Sequence, residues 1–352
     1  MIDDAAGARR DLPEATTLPG RFYTDPAVYA AERELIFARQ WCSVARVEDV
    51  AEPGDYVTFI LAGEPIVVVR DRDGDLHALA NVCRHRNATV VEGAGNAKAL
   101  QCPYHLWTYR LDGQLAHAPG MDGATGFDPE EICLPALGVE TWQGWVFVNL
   151  DPAADPLGPR LTGLDAICEP YDLAAMRRVG TLDYHCEWNW KVIVENFAES
   201  YHHAGVHPTI LEPTFPGSRS WAVDKGGQPW SSLDHETLVP EYEPFTASLA
   251  YPNHAFSITR PNGLVWFRMQ INDVENVDLQ LQLFLSPEHA DDGETASMIL
   301  DGLRAINDED MTVNRRVQQG LRSRFAQPGR ISPLEQATWE FRRWLLDQLS
   351  SP

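Results

Sequence analysis

Two cysteines and two histidines at fixed spacings constrain the fold of this chain more than any other feature of its sequence. One residue separates Cys83 from His85, two separate Cys102 from His105, and sixteen lie between the two pairs. Thiolate and imidazole groups bind both zinc and iron–sulfur clusters. Structural zinc sites usually leave two to four residues between paired ligands and pair like with like, which disfavours zinc here. A two-iron cluster with cysteines on one iron and histidines on the other fits the arrangement better.

The segments around these four residues predict a compact antiparallel β unit over about 55–150. The runs DYVTFIL, EPIVVVR and DLHALAN are rich in strand-forming residues and are bounded by Gly, Asp and Pro. Asp-Gly pairs at 73–74 and 112–113 predict hairpin turns, and GWVFVNL at 144–150 predicts the closing strand. The stretch at 151–160 is rich in Pro, Asp and Gly, which is typical of a domain boundary.

The composition limits where the protein works and what it binds. The 352 residues contain no apolar run of about 18 residues, so no membrane-spanning helix is expected. The N-terminal MIDDAAGARRDLPEATTLPG lacks the apolar segment of a secretory signal peptide, and six cysteines are few for a disulfide framework. We therefore expect a cytoplasmic protein with reduced cysteines. The formal net charge of −23 disfavours binding to nucleic acid, because the phosphate backbone requires clustered basic residues.

The chain beyond residue 160 is long enough for a second domain. Its pattern predicts a helix from about Asn189, a β-rich region from about 218 to 287 and two closing helices. The last helix has Ser332 as its N-cap, Pro333 in the first helical position and Glu335 completing a capping box. Its apolar face is expected to pack in the core and comprises Leu334, Ala337, Phe341, Trp344 and Leu345.

The first of these helices carries a second group of possible metal ligands. In NWKVIVENFAESYHHAGVHP, helical spacing places Glu195, Glu199 and His202 on one face. The apolar stripe on another face consists of Trp190, Val194, Phe197 and Tyr201. The gathering of His202, His203 and His207 indicates a metal site, since a solvated acidic face would not need three histidines. Helix geometry alone favours His203 and His207, which are four residues apart, as a ligand pair.

A later segment, LRAINDEDMTVNRRVQQGL, offers three consecutive carboxylates. Its apolar residues recur at steps of three and four and consist of Leu303, Ile306, Val313, Val317 and Leu321. Asp310 falls within this stripe, whereas Asp308 and Glu309 do not. A buried carboxylate needs a partner, which is either a metal ion or an arginine such as Arg315. Non-heme iron(II) that activates dioxygen prefers two histidines and one carboxylate.

Together the two patterns resemble the terminal oxygenase (α) subunits of the Rieske non-heme iron oxygenases, which hydroxylate aromatic rings or oxidise quaternary ammonium compounds. The first pattern matches the Rieske motif, Cys-x-His, sixteen residues, then Cys-x-x-His. The second matches the family's mononuclear iron motif, with a carboxylate three residues before the first histidine and the second histidine five residues after it. The resemblance implies a [2Fe–2S] cluster bound by Cys83, His85, Cys102 and His105.

The resemblance also implies which residues bind a mononuclear non-heme iron(II). These are His202, His207 and Asp310, the last because the family's third ligand comes from a similar late helix. His203 is left outside the ligand set. Gly205 is expected to relax the helix so that the five-residue spacing between the histidines closes.

Electron transfer between subunits follows from the same resemblance. Glu199 would join His105 of one subunit to His202 of the next, in a homotrimer. A flavin or iron–sulfur reductase, with or without a ferredoxin, would pass electrons from NADH or NADPH. The protein would be the terminal oxygenase, which uses O2 to hydroxylate a small organic substrate.

The expected fold class is α+β, with an antiparallel β Rieske domain followed by a helix-grip-like catalytic domain, an antiparallel sheet with helices. We predict an N-terminal arm and helix at 1–43, the Rieske domain at 44–150 and the catalytic domain at 151–352. The family usually has Gly where Asn87 and Leu106 stand. Leu disfavours a left-handed backbone, so the second cluster loop is expected to differ in shape from the family's.

The sequence leaves the substrate open among arene dihydroxylation, single hydroxylation and oxidative demethylation. Glu199 at the bridging position and Pro208 after the second histidine resemble the members that oxidise quaternary ammonium compounds. Seven aromatic residues could form a cation–π cage, namely Trp221, Trp230, Tyr242, Phe245, Tyr251, Phe256 and Trp266. An apolar pocket for an aromatic acid or ring is the alternative. Outside the oxygenases, the alternatives are a Rieske electron-transfer protein and a zinc hydrolase, although the chain lacks a His-Glu-x-x-His motif.

Overall fold

The computed structural model describes residues 3–223, 226–259 and 263–350, and it confirms a mixed α+β fold with antiparallel sheets. The chain separates into two compact units. The small unit is Phe37–Pro156, and the large unit contains the residues up to Ile36 and those from Leu157 onward. The domain limits at 43/44 and 150/151 stay predictions. None of the helices in the described ranges is long and apolar enough to cross a membrane.

The described residues of the small unit form two antiparallel sheets. The strands are β1 (Cys42–Arg46), β2 (Asp55–Leu61), β3 (Glu64–Arg70), β4 (Leu76–Ala80), β5 (Ala94–Asn96), β6 (Leu100–Gln101), β7 (Thr108–Tyr109), β8 (Leu115–His117), β9 (Ala136–Trp142) and β10 (Trp145–Asn149). The larger sheet has the order β1-β10-β9-β4-β3-β2-β5, and the smaller has the order β6-β7-β8. Both Asp-Gly turns are confirmed, since Gly74 and Gly113 have φ angles of 93° and 91° that glycine adopts without steric cost.

The cysteines of both cluster loops belong to the core of the small unit. Cys83 and Cys102 are each 1% exposed and pack in one apolar cluster with Trp107 and Tyr109. Strand residues such as Leu79 complete this cluster. The packed sheet therefore fixes where both thiols lie.

In the large unit, the described strands form one antiparallel sheet of seven. They are β11 (Arg177–Cys186), β12 (Ser220–Ala222), β13 (Trp230–His235), β14 (Phe245–Ala250), β15 (His254–Thr259), β16 (Gly263–Asp273) and β17 (Asn276–Leu285), in the order β11-β17-β16-β15-β14-β13-β12. The α-helices are α1 (Arg21–Thr24), α2 (Pro26–Glu32), α3 (Leu164–Cys168), α4 (Trp190–Phe197), α5 (His203–Val206), α6 (Gly293–Leu321) and α7 (Gln336–Ser350). The β-rich region and the two closing helices are confirmed, whereas strand β11 was not predicted.

The start of the last helix is confirmed in detail. The Ser332 hydroxyl accepts the Leu334 N–H, and the Glu335 carboxylate accepts the Ser332 N–H, so the capping box is present. Of the apolar face, Ala337, Phe341 and Leu345 are fully buried, and Leu334 and Trp344 are half-buried. The ring of Phe341 meets Trp190 of α4 edge to face, with centroids 5.7 Å apart. Helix α7 therefore supports the helix that precedes the histidines.

A buried ion pair ties the N-terminal helix α2 to α4. Lys191 Nζ lies 2.6 Å from Glu32 Oε1, and both side chains are fully buried. The Trp190 indole donates to the other oxygen of Glu32 at 2.9 Å. Burial lowers the pKa of Lys191, although Glu32 favours its charged form. Removing either partner would therefore leave an uncompensated buried charge.

We predict that Glu32→Leu lowers the free energy of unfolding of the protein by about 3–5 kcal/mol, because Lys191 would lose its counter-ion in a dry environment. Urea unfolding followed by tryptophan fluorescence measures the change. The double variant Glu32→Leu with Lys191→Met is the control and should recover most of the loss. A single variant as stable as the unmodified protein would contradict the prediction.

Candidate metal centres and substrate cavity

The four expected cluster ligands lie on two neighbouring loops of the small unit. Cys83 and Cys102 are buried, whereas His85 is exposed and His105 is half-buried. The two imidazole rings meet edge to face, with centroids 4.5 Å apart. Thiols thus lie inside and imidazoles outside. This separation fits a two-iron cluster whose inner iron binds cysteines and whose outer iron binds histidines.

Both cluster loops turn through a left-handed residue. The φ angles are 58° at Asn87 and 60° at Leu106. The N–H of each residue bonds to the carbonyl of the cysteine four positions earlier, Cys83 or Cys102. Leu106 therefore adopts the left-handed conformation that leucine was expected to avoid, and the comparison with the family's loop stays a prediction. Backbone hydrogen bonds, including Cys102 N–H to the Trp107 carbonyl, impose the turn and outweigh a cost of about 1–2 kcal/mol.

A tyrosine hydroxyl contacts one of the thiols, which the sequence analysis did not anticipate. The Tyr109 oxygen lies 3.3 Å from Cys83 Sγ and accepts the Arg84 N–H at 2.9 Å. Burial raises the pKa of Tyr109, so the hydroxyl keeps its proton and can donate it to the sulfur. Trp107 is buried, and its ring stacks on His85 with centroids 4.8 Å apart.

The histidine-rich segment forms two short helices instead of the single predicted helix. Helix α4 ends at Phe197, and α5 spans only His203–Val206. The turn between them packs closely on a neighbouring loop, since a Cβ at Gly217 would lie 2.0 Å from the Ser200 carbonyl oxygen. Glu195 consequently does not share a face with the histidines. It accepts two hydrogen bonds from Arg342, each 2.9 Å long.

The five-residue spacing of the histidines follows from the ends of α5. His202 is the N-cap of this helix and His207 is its C-cap. The backbone leaves the helical region at His207, where φ is −116° and ψ is 47°. The Gly205 N–H bonds to the His202 carbonyl three residues earlier, and the Val206 N–H bonds to the same carbonyl four residues earlier. The expectation that Gly205 relaxes the helix stays a prediction.

The structure brings together the side chains of His202, His207 and Asp310. His207 Nε2 lies 3.1 Å from Asp310 Oδ1, and His202 Nε2 lies 3.7 Å from the same oxygen. One donor atom from each residue falls within 4.8 Å of the other two. His207 is buried and the other two are partly buried. Two imidazoles and one carboxylate form the donor set that non-heme iron(II) uses, so these residues fit the metal.

A carboxylate holds each of the two imidazoles from the side opposite the metal-binding nitrogen. Glu199 Oε1 lies 2.7 Å from His202 Nδ1, and Glu309 Oε2 lies 2.7 Å from His207 Nδ1. A proton on Nδ1 leaves Nε2 free for a metal and fixes the ring. Burial opposes a charge on His207, but Asp310 and Glu309 outweigh it and raise the pKa of this imidazole. The surroundings thus favour positive charge where a metal ion would supply it.

The sequence analysis missed Glu309 because the apolar stripe that it assigned to α6 is not the face of the helix that is buried. Val317 of that stripe is 42% exposed. The buried polar residues of this helix are Asn307, Asn314 and Gln318. Asp310 lies beside this polar face, where the Asn196 amide donates to its Oδ1 at 3.2 Å. The one available signal for Glu309 was its position next to Asp310 in a run of three carboxylates.

A cavity of about 220 Å³ adjoins the three possible iron ligands. Its walls are mainly apolar and include the aromatic residues Trp188, Phe197, Phe215, Phe245 and Phe267. Among the described residues that line it, none is Lys or Arg, and the acidic ones are Glu199 and Asp310.

The aromatic cage expected from the sequence is not assembled, because only Phe245 of its seven members lines this cavity. Trp230, Tyr251, Phe256 and Trp266 are buried outside the lining, and Trp221 and Tyr242 are more than half exposed. Successive strand residues point to opposite faces of a sheet, so aromatic content alone does not locate a cage.

Two further histidines, His203 and His235, line the cavity and are neutral near pH 7. Burial lowers the pKa of His203 to about 4 and that of His235 to about 3. The two rings stack with centroids 5.8 Å apart and an angle of 20°. His203 does not join the cluster of possible metal ligands.

Comparisons with known proteins cover most of this architecture. Residues 40–137 match the Rieske [2Fe-2S] domain, and residues 173–351 match the catalytic domain of the ring hydroxylating alpha subunit. The carnitine monooxygenase oxygenase subunit of Escherichia coli (strain K12) is 33% identical over 336 residues, covering 90% of this chain and 88% of that protein. Solved structures of the quaternary ammonium Rieske monooxygenase CntA with its substrates L-carnitine and γ-butyrobetaine each have a TM-score of 0.86, with 28% identity and 99% of both chains covered.

The fold and the matches define a protein that combines a Rieske cluster with a mononuclear iron. The chain belongs to the Rieske non-heme iron oxygenases, as a terminal oxygenase subunit. It is an oxidoreductase that uses O2, together with electrons from a separate electron-transfer partner, to oxidise a small organic substrate. Its cofactors are a [2Fe–2S] cluster and a non-heme iron(II). An electron-transfer protein without oxygenase activity and a zinc hydrolase are set aside.

Replacing Glu309 is expected to weaken metal binding without removing a ligand. Glu309→Ala should lower the affinity of the mononuclear site by about 10- to 100-fold, because His207 loses the partner that orients its ring. Titration of the iron-depleted mononuclear site with Co(II), with the cluster intact, measures this change. Asp308→Ala is the matched control, since Asp308 is an exposed neighbour on the same helix. Equal affinities for both variants would count against the assignment.

Proposed function

We propose that this enzyme oxidises a small quaternary ammonium compound. The observation that carries the proposal is the lining of the cavity beside His202, His207 and Asp310. Aromatic ring faces attract cations, and a quaternary ammonium group has no N–H that needs a hydrogen-bond acceptor. The wall formed by Phe197, Phe215, Phe245 and Phe267 suits such a group.

The charges of the lining favour a cationic group over an anionic one. Glu199 and Asp310 are the acidic residues of the described lining, and basic residues are absent from it. An aromatic acid carries only a negative charge, which these two acids would repel, whereas the positive ammonium group of a quaternary ammonium compound would be attracted to them. The relatives agree with this inference, since the Escherichia coli relative is a carnitine monooxygenase subunit and CntA takes L-carnitine and γ-butyrobetaine.

The proposal assigns the cofactor ligands as follows. The [2Fe–2S] cluster is bound by Cys83, His85, Cys102 and His105. The mononuclear iron is bound by His202, His207 and Asp310. The first set is supported by the cluster loops, in which both cysteines are buried and both histidines are more exposed. The convergence of three donor atoms, with both Nδ1 atoms held by carboxylates, supports the second.

In the proposed reaction, a substrate C–H bond, O2, two electrons and two protons give a C–OH group and water. The iron supplies O2 activation when bound. Hydroxylation at a carbon attached to nitrogen gives a carbinol, which then breaks its C–N bond to release an amine and a carbonyl compound. The apolar walls exclude water from the reacting carbon, and the phenylalanine faces orient the cationic end of the substrate.

The proposal extends to electron delivery. Glu199, hydrogen-bonded to His202 Nδ1 at 2.7 Å, would join His202 to His105 of the next subunit in a homotrimer and so bridge electron transfer from the cluster to the iron. A flavin or iron–sulfur reductase, with or without a ferredoxin, would reduce the cluster with electrons from NADH or NADPH. A cytoplasmic location accords with the lack of disulfides among the six cysteines, all of which the structure describes.

The direct test is oxygen uptake by the reconstituted enzyme with a surrogate NADH-dependent reductase. L-Carnitine, γ-butyrobetaine, glycine betaine and choline form one group of candidates, and aromatic acids form the other. We expect uptake matched by product formation with a member of the first group only. Coupled turnover of an aromatic acid, with none of the quaternary ammonium compounds, would overturn the proposal.

Asp310→Ala is expected to abolish turnover and to remove the mononuclear iron, because it deletes the carboxylate that His207 and His202 approach. The cluster should keep its visible spectrum. The ratio of iron to acid-labile sulfide should fall from three to two toward two to two. A fully active variant that retains the third iron would exclude Asp310 from the site.

A further inference from the structure

His203 is a cavity residue that the iron site does not use. It lies next to His202 in the chain, is 4% exposed and forms part of the cavity wall. Its ring centroid is 5.0 Å from that of His202 and 5.9 Å from that of His207. The His203 imidazole therefore lies next to both histidines of the proposed iron site without being one of the ligands.

A backbone carbonyl fixes the tautomer of His203. Its Nδ1 lies 2.8 Å from the carbonyl oxygen of Phe215. A carbonyl oxygen only accepts, so the proton is on Nδ1 and this nitrogen donates. In the neutral ring, Nε2 then carries a lone pair. Across the described parts of the chain, Nε2 of His203 makes no hydrogen bond.

Stacking also holds the ring of His203 in orientation. It stacks on His235, which in turn stacks on Phe245 with centroids 3.9 Å apart and an angle of 10°. Within the described ranges, no carboxylate forms an ion pair with His203. His203 thus offers a fixed acceptor in a mainly apolar wall.

We infer that His203 is a specificity-determining residue whose Nε2 accepts a hydrogen bond from a hydroxyl group of the substrate. The inference rests on the proposed function and adds a requirement to it. A quaternary ammonium nitrogen has no hydrogen to donate, and a carboxylate only accepts. A hydroxyl on the carbon chain is the group of such compounds that can satisfy Nε2. The enzyme therefore selects hydroxylated quaternary ammonium compounds over their deoxy analogues.

L-Carnitine and γ-butyrobetaine are a matched pair of probes, because they share the trimethylammonium group, the chain and the carboxylate and differ in one hydroxyl. Binding is measured by calorimetry on the loaded enzyme without reductant, so that no turnover occurs. We expect L-carnitine to bind about 2- to 10-fold more tightly, the ratio that one neutral hydrogen bond typically contributes.

Two substitutions distinguish a substrate hydrogen bond accepted by Nε2 from a purely structural role of the bond between Nδ1 and the Phe215 carbonyl. The amide of His203→Asn occupies the position of Nδ1, so it can still donate to the Phe215 carbonyl but offers no acceptor at Nε2. The longer amide of His203→Gln places its oxygen near the position of Nε2 and loses the bond to Phe215. We expect the preference for L-carnitine to disappear in the Asn variant and to persist in the Gln variant. A purely structural role predicts the opposite order.

Unmodified enzyme that binds both compounds equally, or prefers γ-butyrobetaine, would overturn the inference and leave the proposed substrate class intact. An Asn variant that keeps the full preference would also overturn it. Binding of neither compound by the unmodified enzyme would overturn the inference, and the substrate class would also fall if glycine betaine and choline gave no oxygen uptake. Binding of γ-butyrobetaine by both variants with the affinity of the unmodified enzyme shows that the cavity is preserved.

Discussion

Two carboxylate–imidazole hydrogen bonds determine where the catalytic site can hold a metal. Glu199 and Glu309 each bind the Nδ1 atom of one histidine, and both Nε2 atoms then face Asp310. Without these bonds, each ring could rotate and present either nitrogen to the cavity. The orientation of the proposed ligand atoms is thus set by hydrogen bonds within the polypeptide.

The polar contacts between α4 and α6 explain how these groups reach one another. The Asn189 side chain caps α4, while its backbone N–H donates to Gln318 of α6 at 3.2 Å. Two turns further along α4, Asn196 bonds to Asp310. Contacts at both ends of α4 fix its register against α6. A purely apolar interface would tolerate sliding, whereas directional hydrogen bonds do not.

The sequence was most informative where a structural feature depends on residues that are close together in the chain. The pairs of cysteine and histidine, the Asp-Gly turns and the capping box at Ser332 depend on neighbours in the chain, and local patterns therefore predict them. The break after Phe197 was not predictable, because it depends on packing against Gly217 from another part of the unit. Glu309 was missed because the buried face of α6 is polar, and a search for apolar periodicity does not find such a face.

Periodicity identifies buried positions by their apolar residues, and the inner face of α6 is polar. The same limit applies to the aromatic residues of the large unit. Their number suggested a cage, but the sheet directs most of them away from the cavity. Which face of a strand borders a cavity depends on the register of the whole sheet, and that register is set by long-range pairing.

The arrangement of charge around the site has a consequence for folding. Three carboxylates, from Glu199, Glu309 and Asp310, lie close to two imidazoles, so the pocket without metal has an excess of negative charge. Like charges at this distance repel, and burial strengthens the repulsion. A divalent cation removes this excess and binds only the folded arrangement, so it stabilises the junction of α5 and α6. In the proposed iron site, the bound metal would therefore offset the cost of collecting these acids in one place.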